Sequence, residues 1–116
     1  MRGIISAAAY LPHRRLDRTT IAAVAGTGGG PGTRTVASYD EDATTMGVEA
    51  ARLAMAPVAT RPRALWFSTV SPPYVDKTNA TAIHAALDLP TSALAVDMLG
   101  SVRSMVGAMR AARDTR

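Results

Sequence analysis

The sequence lacks cysteine altogether and has few aromatic residues. Its 116 residues include one Trp, one Phe and three Tyr, so Ala, Val, Leu, Ile and Met must form the core. Without cysteine the chain can form no disulfide, no thiolate zinc site and no thiol nucleophile. Its apolar runs are all shorter than the 18 residues that a membrane-spanning helix needs. These absences fit a reducing compartment, and we expect a cytoplasmic protein with no membrane partner.

Histidine is also scarce, which limits metal binding and base catalysis. His13 and His84 have no clustered set of further ligands, so we predict neither a metal site nor a cofactor. We expect His84 to pack or lie on the surface and His13 to be solvated. On paper, Ser101, a histidine and Asp97 could form a catalytic triad. Arg103 stands two places after Ser101, however, where a nucleophile elbow has glycine, so Ser101 is only a weak candidate nucleophile.

The charge of the chain is moderately basic, with a formal net charge of +4. Six arginines lie near its two ends: Arg2, Arg14, Arg15, Arg18, Arg113 and Arg116. Nucleic-acid binding is not expected, because no basic run with interleaved aromatic residues is present. The balance is also compatible with an anionic ligand such as coenzyme A. The length is that of one domain, and the 47% hydrophobic content allows a globular core.

A loop rich in glycine lies at residues 25–33, and it does not match a phosphate-binding motif. Pro31 stands where a dinucleotide-binding pattern starting at Gly26 would require glycine. The Gly-Lys-Ser/Thr sequence of a P-loop is missing as well. We therefore interpret these residues as a mobile surface loop.

Apolar runs bounded by Pro, Gly and polar residues predict three strands, at residues 3–11, 64–70 and 93–99. One or two helical turns are predicted over 18–25. A helix from Thr78 or Asn79 should reach Leu87, and another should start at Gly100 or Ser101. Because strands alternate with helices, we predict an α/β domain with a parallel sheet.

Two helices have apolar side chains at helical spacing, which predicts their buried faces. The first should follow the capping-box pattern of Ser38 and Glu41 and run to about Ala56, before Pro57. Its predicted face comprises Met46, Ala50, Leu53 and Ala54. The predicted core stripe of the last helix comprises Val102, Met105, Val106 and Met109.

The order and spacing of several segments resemble the thiolase-like superfamily, in the branch of 3-hydroxy-3-methylglutaryl-CoA synthase and ketoacyl-ACP synthase III. The matching segments are Gly3-Ile4-Ile5 to Pro12, Tyr39-Asp40-Glu41-Asp42 to Arg52, Leu65 to Val70, Asp76-Lys77-Thr78-Asn79-Ala80 and Val96-Asp97. The resemblance covers all 116 residues and the first third of a typical family member. It implies one partial thiolase-like domain over residues 1–116, with about three parallel strands, and chemistry on acyl-CoA or acyl-ACP.

The same resemblance places apolar residues at two catalytic positions. Family members carry their nucleophilic cysteine five places after the strand acid, which is Val102 here, and a glutamate after Thr69, which is Val70 here. The alternative interpretation, without any function, is that both valines are ordinary core residues. No catalytic residue is thus assigned, and we expect the chain alone to be inactive.

Three functional interpretations stay open at this point. The chain can be the N-terminal part of an acyl-transferring condensing enzyme, or a non-catalytic partner or scaffold of a thiolase-like assembly. It can also be a small α/β module that binds an anionic ligand. As partners we expect acyl-CoA or acyl-ACP, and a second copy in a homo-oligomer or a thiolase-like partner chain.

Overall fold

The computed structural model describes residues 3–115, so Arg2 and Arg116 of the basic termini lie outside the described range. The chain forms two compact units. One comprises the residues up to Tyr10 together with the chain from Ala43 onward, and the other is Leu11–Asp42. The elements in chain order are β1 (Arg14–Asp17), α1 (Arg18–Ala25), β2 (Thr33–Val36), α2 (Ala43–Met55), β3 (Ala64–Thr69), α3 (Asn79–Ala86), β4 (Leu94–Leu99) and α4 (Ser104–Asp114).

The larger unit is built on a parallel pair of strands. β3 and β4 pair in register from Ala64 opposite Leu94 to Thr69 opposite Leu99. This confirms the predicted α/β class, both of these strands and their parallel direction. Because side chains alternate along a strand, Leu65 and Phe67 point to one face of the pair and Trp66 to the other.

The core lies on the face of Leu65 and Phe67. Its buried centre is Ile83, Leu87, Leu89 and Ala93, and the partly buried side chains packed on it are Val48, Ala51, Met55, Leu65 and Phe67. Helix α2 therefore contacts the core through Val48, Ala51 and Met55. Of the predicted face, Met46, Ala50 and Ala54 are partly buried, beside the residues that pack on the buried centre, and Leu53 is half exposed.

Helix α4 packs on β3 and β4. The face that it turns to the sheet is opposite to the one predicted to be buried. Its buried residue is Ala108, and a side chain at Gly107 would meet the Met98 methyl at 3.3 Å. The predicted core stripe of Val102, Met105, Val106 and Met109 is exposed, by 82%, 53%, 55% and 54%. Small residues allow α4 to approach the sheet closely, so the larger apolar side chains are left on the outer face.

The segment of residues 3–11 forms no strand, contrary to the prediction. Ile4 is 82% exposed and Ile5 is 85% exposed. A strand needs a hydrogen-bonded neighbour, and within residues 3–115 the ladders are β1 with β2 and β3 with β4. The apolar pattern was correct, but the neighbouring strand that would make it a ladder is missing from the described chain.

The smaller unit is an antiparallel pair, β1 and β2, with α1 between them in sequence. Its strands were not predicted, because Arg14 and Arg15 read as a basic loop. Helix α1 matches its prediction. The loop that follows takes positive φ at Gly26, Gly28, Gly30 and Gly32, a backbone conformation that glycine adopts without strain.

The capping pair of Ser38 and Glu41 forms a turn rather than a helix start. The Ser38 N–H donates to the Glu41 carboxylate at 2.7 Å, and the Glu41 N–H donates to the Ser38 carbonyl at 3.2 Å. Helix α2 begins only at Ala43, since the turn at residues 39–40 comes first. The bond from the Ser38 N–H to Glu41 is the one that a capping box has, whereas the Glu41 N–H donates to the Ser38 carbonyl in place of its hydroxyl, and the helix starts later than predicted.

Candidate functional site

The candidate site is the edge of the sheet where β3 and β4 end. Because the strands are parallel and Thr69 lies opposite Leu99, the loop after β3 and the turn after β4 leave from the same edge. Ligand sites of parallel α/β sheets form at this edge. The site is thus framed by residues 70–78 and by residues 100–103.

Asn79 and Asp97 form the polar centre of this edge. The Asp97 carboxylate accepts from the Asn79 N–H at 2.8 Å, from the Asn79 Nδ2 at 2.9 Å and from the Ala80 N–H at 2.7 Å. These donors lie at the start of α3, where backbone N–H groups have no partner within the helix. Asp97 therefore caps α3 from the neighbouring strand, while Thr78, the N-cap residue, makes no side-chain cap bond.

Asn79 is fully buried and links this cap to the loop before it. Its Oδ1 accepts from the Tyr74 N–H at 3.0 Å and from the Thr44 hydroxyl at 3.4 Å, and its Nδ2 also donates to the Tyr74 carbonyl at 3.0 Å. Buried polar atoms need such partners, because an unsatisfied one costs the full desolvation penalty. The network fixes the loop of residues 74–78 between β4 and α2.

The loop encloses an open cavity of about 400 Å³. It is lined by Pro72, Tyr74, Val75, Asp76, Lys77, Thr78, Asp97 and Leu99. The Lys77 Nζ lies 3.8 Å from the centre of the Tyr74 ring, a cation–π contact that orients the ammonium. The cavity therefore offers one oriented cation beside a carboxylate whose acceptor capacity is used by α3.

The turn after β4 replaces the predicted start of the last helix. Gly100 has a φ of +103°, and α4 begins at Ser104 rather than at Gly100 or Ser101. The Ser104 N–H donates to the Ser101 carbonyl at 3.0 Å, and its hydroxyl donates to the Leu99 carbonyl at 2.8 Å. Ser104, which the sequence analysis did not single out, thus ties the start of α4 to the end of β4.

The residues at the family's catalytic positions are both at this edge, and both are exposed. Val70 directly follows β3 and is 59% exposed, while Val102 lies in the turn before α4 and is 82% exposed. The interpretation of these valines as ordinary core was wrong, because each lies beyond the last paired residue of its strand. An exposed isopropyl group at either position supplies neither a nucleophile nor a base.

The hypothetical catalytic triad of Ser101, a histidine and Asp97 does not form in the structure. Asp97 is hydrogen-bonded to Asn79 and Ala80, and the His84 Nε2 lies 3.0 Å from the Pro90 carbonyl. His13 is exposed in the smaller unit, as expected. Within residues 3–115, no three His, Asp or Glu side chains cluster closely enough to hold a metal ion. No helix in that range is long and apolar enough to cross a membrane.

The cap formed by Asp97 and Asn79 is the part of the site that sequence analysis missed. Its signal was present, since an acid lies between Val96 and Met98 in an otherwise apolar strand. A charge in that position needs hydrogen-bond donors nearby. The first N–H groups of a neighbouring helix are such donors, and here they belong to α3.

Comparison with known proteins supports the resemblance. No family model matches the chain. A hydroxymethylglutaryl-CoA synthase of Thermococcus sibiricus is 38% identical over 114 residues, which cover 95% of this chain and 33% of the relative. The enzyme of the same name from Pyrococcus furiosus is 36% identical with the same coverage, and that of Aeropyrum pernix is 41% identical over 81 residues.

Solved structures show the same fold. A 3-oxoacyl-(acyl-carrier-protein) synthase III superposes with a TM-score of 0.70 and 27% identity, over 84% of this chain and 32% of that one. A 3-oxoacyl-(acyl-carrier protein) synthase from Burkholderia xenovorans LB400 has a TM-score of 0.69 at 22% identity. The chain has the thiolase-like fold. It matches the N-terminal part of its hydroxymethylglutaryl-CoA synthase relatives and spans about a third of their length.

Proposed function

We propose that this thiolase-like chain is a non-catalytic part of an assembly that handles acyl-CoA or acyl-ACP. The acyl chemistry is suggested by the relatives, which are hydroxymethylglutaryl-CoA synthases, and by the structural neighbours, which are 3-oxoacyl-(acyl-carrier-protein) synthases. The observation that carries the proposal is Val102, which occupies the exposed turn where the resemblance places the nucleophile. We place the chain in the cytoplasm, in line with a sequence that uses no cysteine.

In this proposal the chain has a structural role in the assembly and does not catalyse the formation of bonds. Nucleophilic catalysis needs a group that attacks the thioester carbonyl and releases coenzyme A, together with an activating base. Valine at positions 70 and 102 offers neither group. Two other polar groups of the edge, Asp97 and Asn79, are engaged in holding α3 and the loop of residues 74–78.

Acetyl transfer to the chain tests the proposal directly. After incubation with acetyl-CoA, intact-mass measurement should show no acetyl adduct. The matched control is Ser101→Ala, because Ser101 is the weak candidate nucleophile next to Val102. A stable adduct on the natural chain that Ser101→Ala abolishes would show a serine nucleophile and overturn the proposal.

A further inference from the structure

A second cavity lies at the edge of the sheet where β3 and β4 begin. Because the two strands are parallel and Ala64 lies opposite Leu94, the segments that lead into them reach this edge together. The cavity between these segments has a volume of about 580 Å³. Its lining residues are Arg61, Pro62, Arg63, Pro90, Ser92 and Ala93. Two cations and one hydroxyl thus line one space, to which the described residues contribute no carboxylate. We call this space the Arg61–Arg63 site.

Arg61 is held in place by the end of α3. Its Nη1 donates to the Leu87 carbonyl at 3.2 Å. Carbonyl groups at the C-terminal end of a helix have no partner within the helix, and they favour a cation. Pro62 follows directly and restricts Arg61 to an extended backbone. Because this bond uses one of the five N–H donors of the guanidinium, Arg61 is oriented and still has donors for a ligand.

The two arginines of the site lack a counter-charge. Neither Arg61 nor Arg63 takes part in an ion pair within residues 3–115, unlike Arg52, which pairs with Glu49 at 2.9 Å. Asp88 lines a neighbouring cavity together with Arg61, and the two do not pair there. Like charges that line one cavity repel each other, whereas an anion that contacts both is attracted by both. A guanidinium keeps its charge at every physiological pH, so this preference for an anion is permanent.

The chemistry of the lining favours a phosphate group over a carboxylate. The planar fork of one arginine already satisfies both oxygens of a carboxylate. A phosphomonoester carries a charge of about −1.5 to −2 at pH 7 and has three strong acceptor oxygens. It can therefore use both arginines and the Ser92 hydroxyl. The volume lies in the range of small-molecule sites, which leaves room for an organic group against Pro62, Pro90 and Ala93.

We infer that the Arg61–Arg63 site binds a small phosphomonoester. Arg61 and Arg63 bind the phosphate, and Ser92 is a further donor to it. The site goes beyond the proposed function, because it lies at the opposite end of β3 and β4 from Val70 and Val102. Acetyl transfer to the chain, which tests the proposed function, therefore has no bearing on this inference.

Two probes of the same shape test the ligand class on the full 116-residue chain. Phenyl phosphate is the ligand, and benzoate, which places a carboxylate on the same ring, is the control. Saturation-transfer NMR of the ring protons measures the binding of both at a low micromolar chain concentration, which limits aggregation. Phenyl phosphate should bind saturably, and benzoate should bind about tenfold more weakly or less, because it leaves charged donors unused. Inorganic phosphate should compete more weakly than phenyl phosphate, since it covers neither proline.

Two variants with the same change of charge locate the site. Arg63→Gln should weaken phenyl phosphate binding by about tenfold or more, because it removes hydrogen bonds to a charged group. Arg34→Gln is the control, since Arg34 is exposed on β2 in the other unit. It should bind within about twofold of the natural chain, because salt screens distant surface charges. Circular dichroism establishes that both variants remain folded.

Several results would overturn the inference. The absence of saturable phenyl phosphate binding to the natural chain is the first. Equal weakening by Arg63→Gln and Arg34→Gln would show that a diffuse positive surface binds the probe. Benzoate that binds as tightly as phenyl phosphate would exclude selection of a phosphate. A polyglutamate peptide that binds more tightly than phenyl phosphate, and that Arg63→Gln releases, would overturn the inference in favour of an acidic protein partner.

Discussion

Asp97 shows how one residue can decide the geometry of the site at the residue scale. Its carboxylate accepts three hydrogen bonds from Asn79 and Ala80 at 2.7–2.9 Å. Hydrogen bonds to an ionised group are about twice as strong as those between neutral groups. Asp97 thus serves as the acceptor that joins β4 to the first turn of α3 and, through Asn79, to the loop of residues 74–78.

Replacing Asp97 should therefore cost stability. For Asp97→Ala we expect a loss of about 2–3 kcal/mol in the free energy of unfolding, because the buried Asn79 amide loses its charged acceptor. Urea denaturation measures the change. Asp97→Asn should lose less, since its amide oxygen, in the place of Oδ2, still accepts the two bonds from Asn79. Equal stability of Asp97→Ala and the natural chain would contradict the assigned role.

Asp17 gives a pH-dependent prediction in the smaller unit. Hydrogen bonds from the Thr19 hydroxyl and then the Thr19 N–H lower the pKa of the Asp17 carboxyl. A lowered folded-state pKa contributes stability above the unfolded value, and that contribution is lost as the pH falls through the folded value. We expect the cap of α1 to hold at neutral pH and to loosen below about pH 4.

An NMR titration of the Asp17 carboxyl carbon checks this direction. Its midpoint should lie below that of the same carboxyl in the urea-unfolded chain. In Thr19→Ala the hydroxyl donor is gone, so the Asp17 midpoint should move upward. An unchanged midpoint in that variant would show that the Thr19 hydroxyl does not lower the pKa.

At the scale of elements, the junction of β4 and α4 matches the resemblance in the order of its elements but lacks a nucleophilic residue. The strand, the turn and the helix follow one another as in the resemblance, yet Val102 lies in the exposed turn before the helix. Val102→Cys should restore a reactive thiol near a helix N-terminus, where N–H groups favour a thiolate. Iodoacetamide should alkylate it readily.

The same variant should not catalyse condensation. Catalytic groups that act as a unit are strongly non-additive, so a nucleophile alone recovers little activity. Val70 still leaves the second position without a carboxylate. Assay with acetyl-CoA should give product at the rate of the natural chain, and any product above that rate would contradict the prediction.

Helix α3 gives the test of packing. Ile83 is 1% exposed at the centre of the core, between α2 and β3. Ile83→Ala should cost about 2–5 kcal/mol, the loss that a cavity in a packed core causes. Val24→Ala, at an exposed position, is the matched control. Similar unfolding midpoints in urea for both variants would place Ile83 outside the core.

The sequence predicted elements well where packing and pattern agree. The strands β3 and β4 and the helices α1 and α3 appear within a residue or two of their predicted ranges, because each is bounded by Pro, Gly or a turn. The predictions for α4 and for residues 3–11 were wrong for a shared reason. Periodicity identifies apolar faces, but it does not say whether the element that should cover them is present.

The candidate site was predicted only in part. Chain order located the edge and the two valines that occupy catalytic positions in the resemblance. The role of Asp97 in capping α3 was not found, since it joins residues 17 and 18 positions apart. The strands β1 and β2 were missed because arginines on a short exposed pair carry no alternating apolar signal.

At the scale of the whole molecule, the exposed apolar side chains of residues 4–5 and of α4 predict that the isolated chain aggregates. With Ile4, Ile5, Val106 and Met109 uncovered, we expect the isolated chain to aggregate without fixed stoichiometry as its concentration rises. Light scattering should show growth that Val106→Asp reduces. A monomer with amides of residues 4–9 strongly protected from hydrogen exchange would contradict this, because protection requires bonded partners.

The position of Asp97 in the chain also sets an order of events during synthesis. Helix α3 leaves the ribosome before the carboxylate that completes its first turn, because Asp97 follows Asn79 by 18 residues. At 5–20 residues per second, α3 waits roughly one to four seconds for its cap. During that interval Asn79 has only its contacts with Tyr74 and Thr44 to hold it. Chaperones that bind nascent chains would therefore meet the α2–α3 half of the core before β4 secures it.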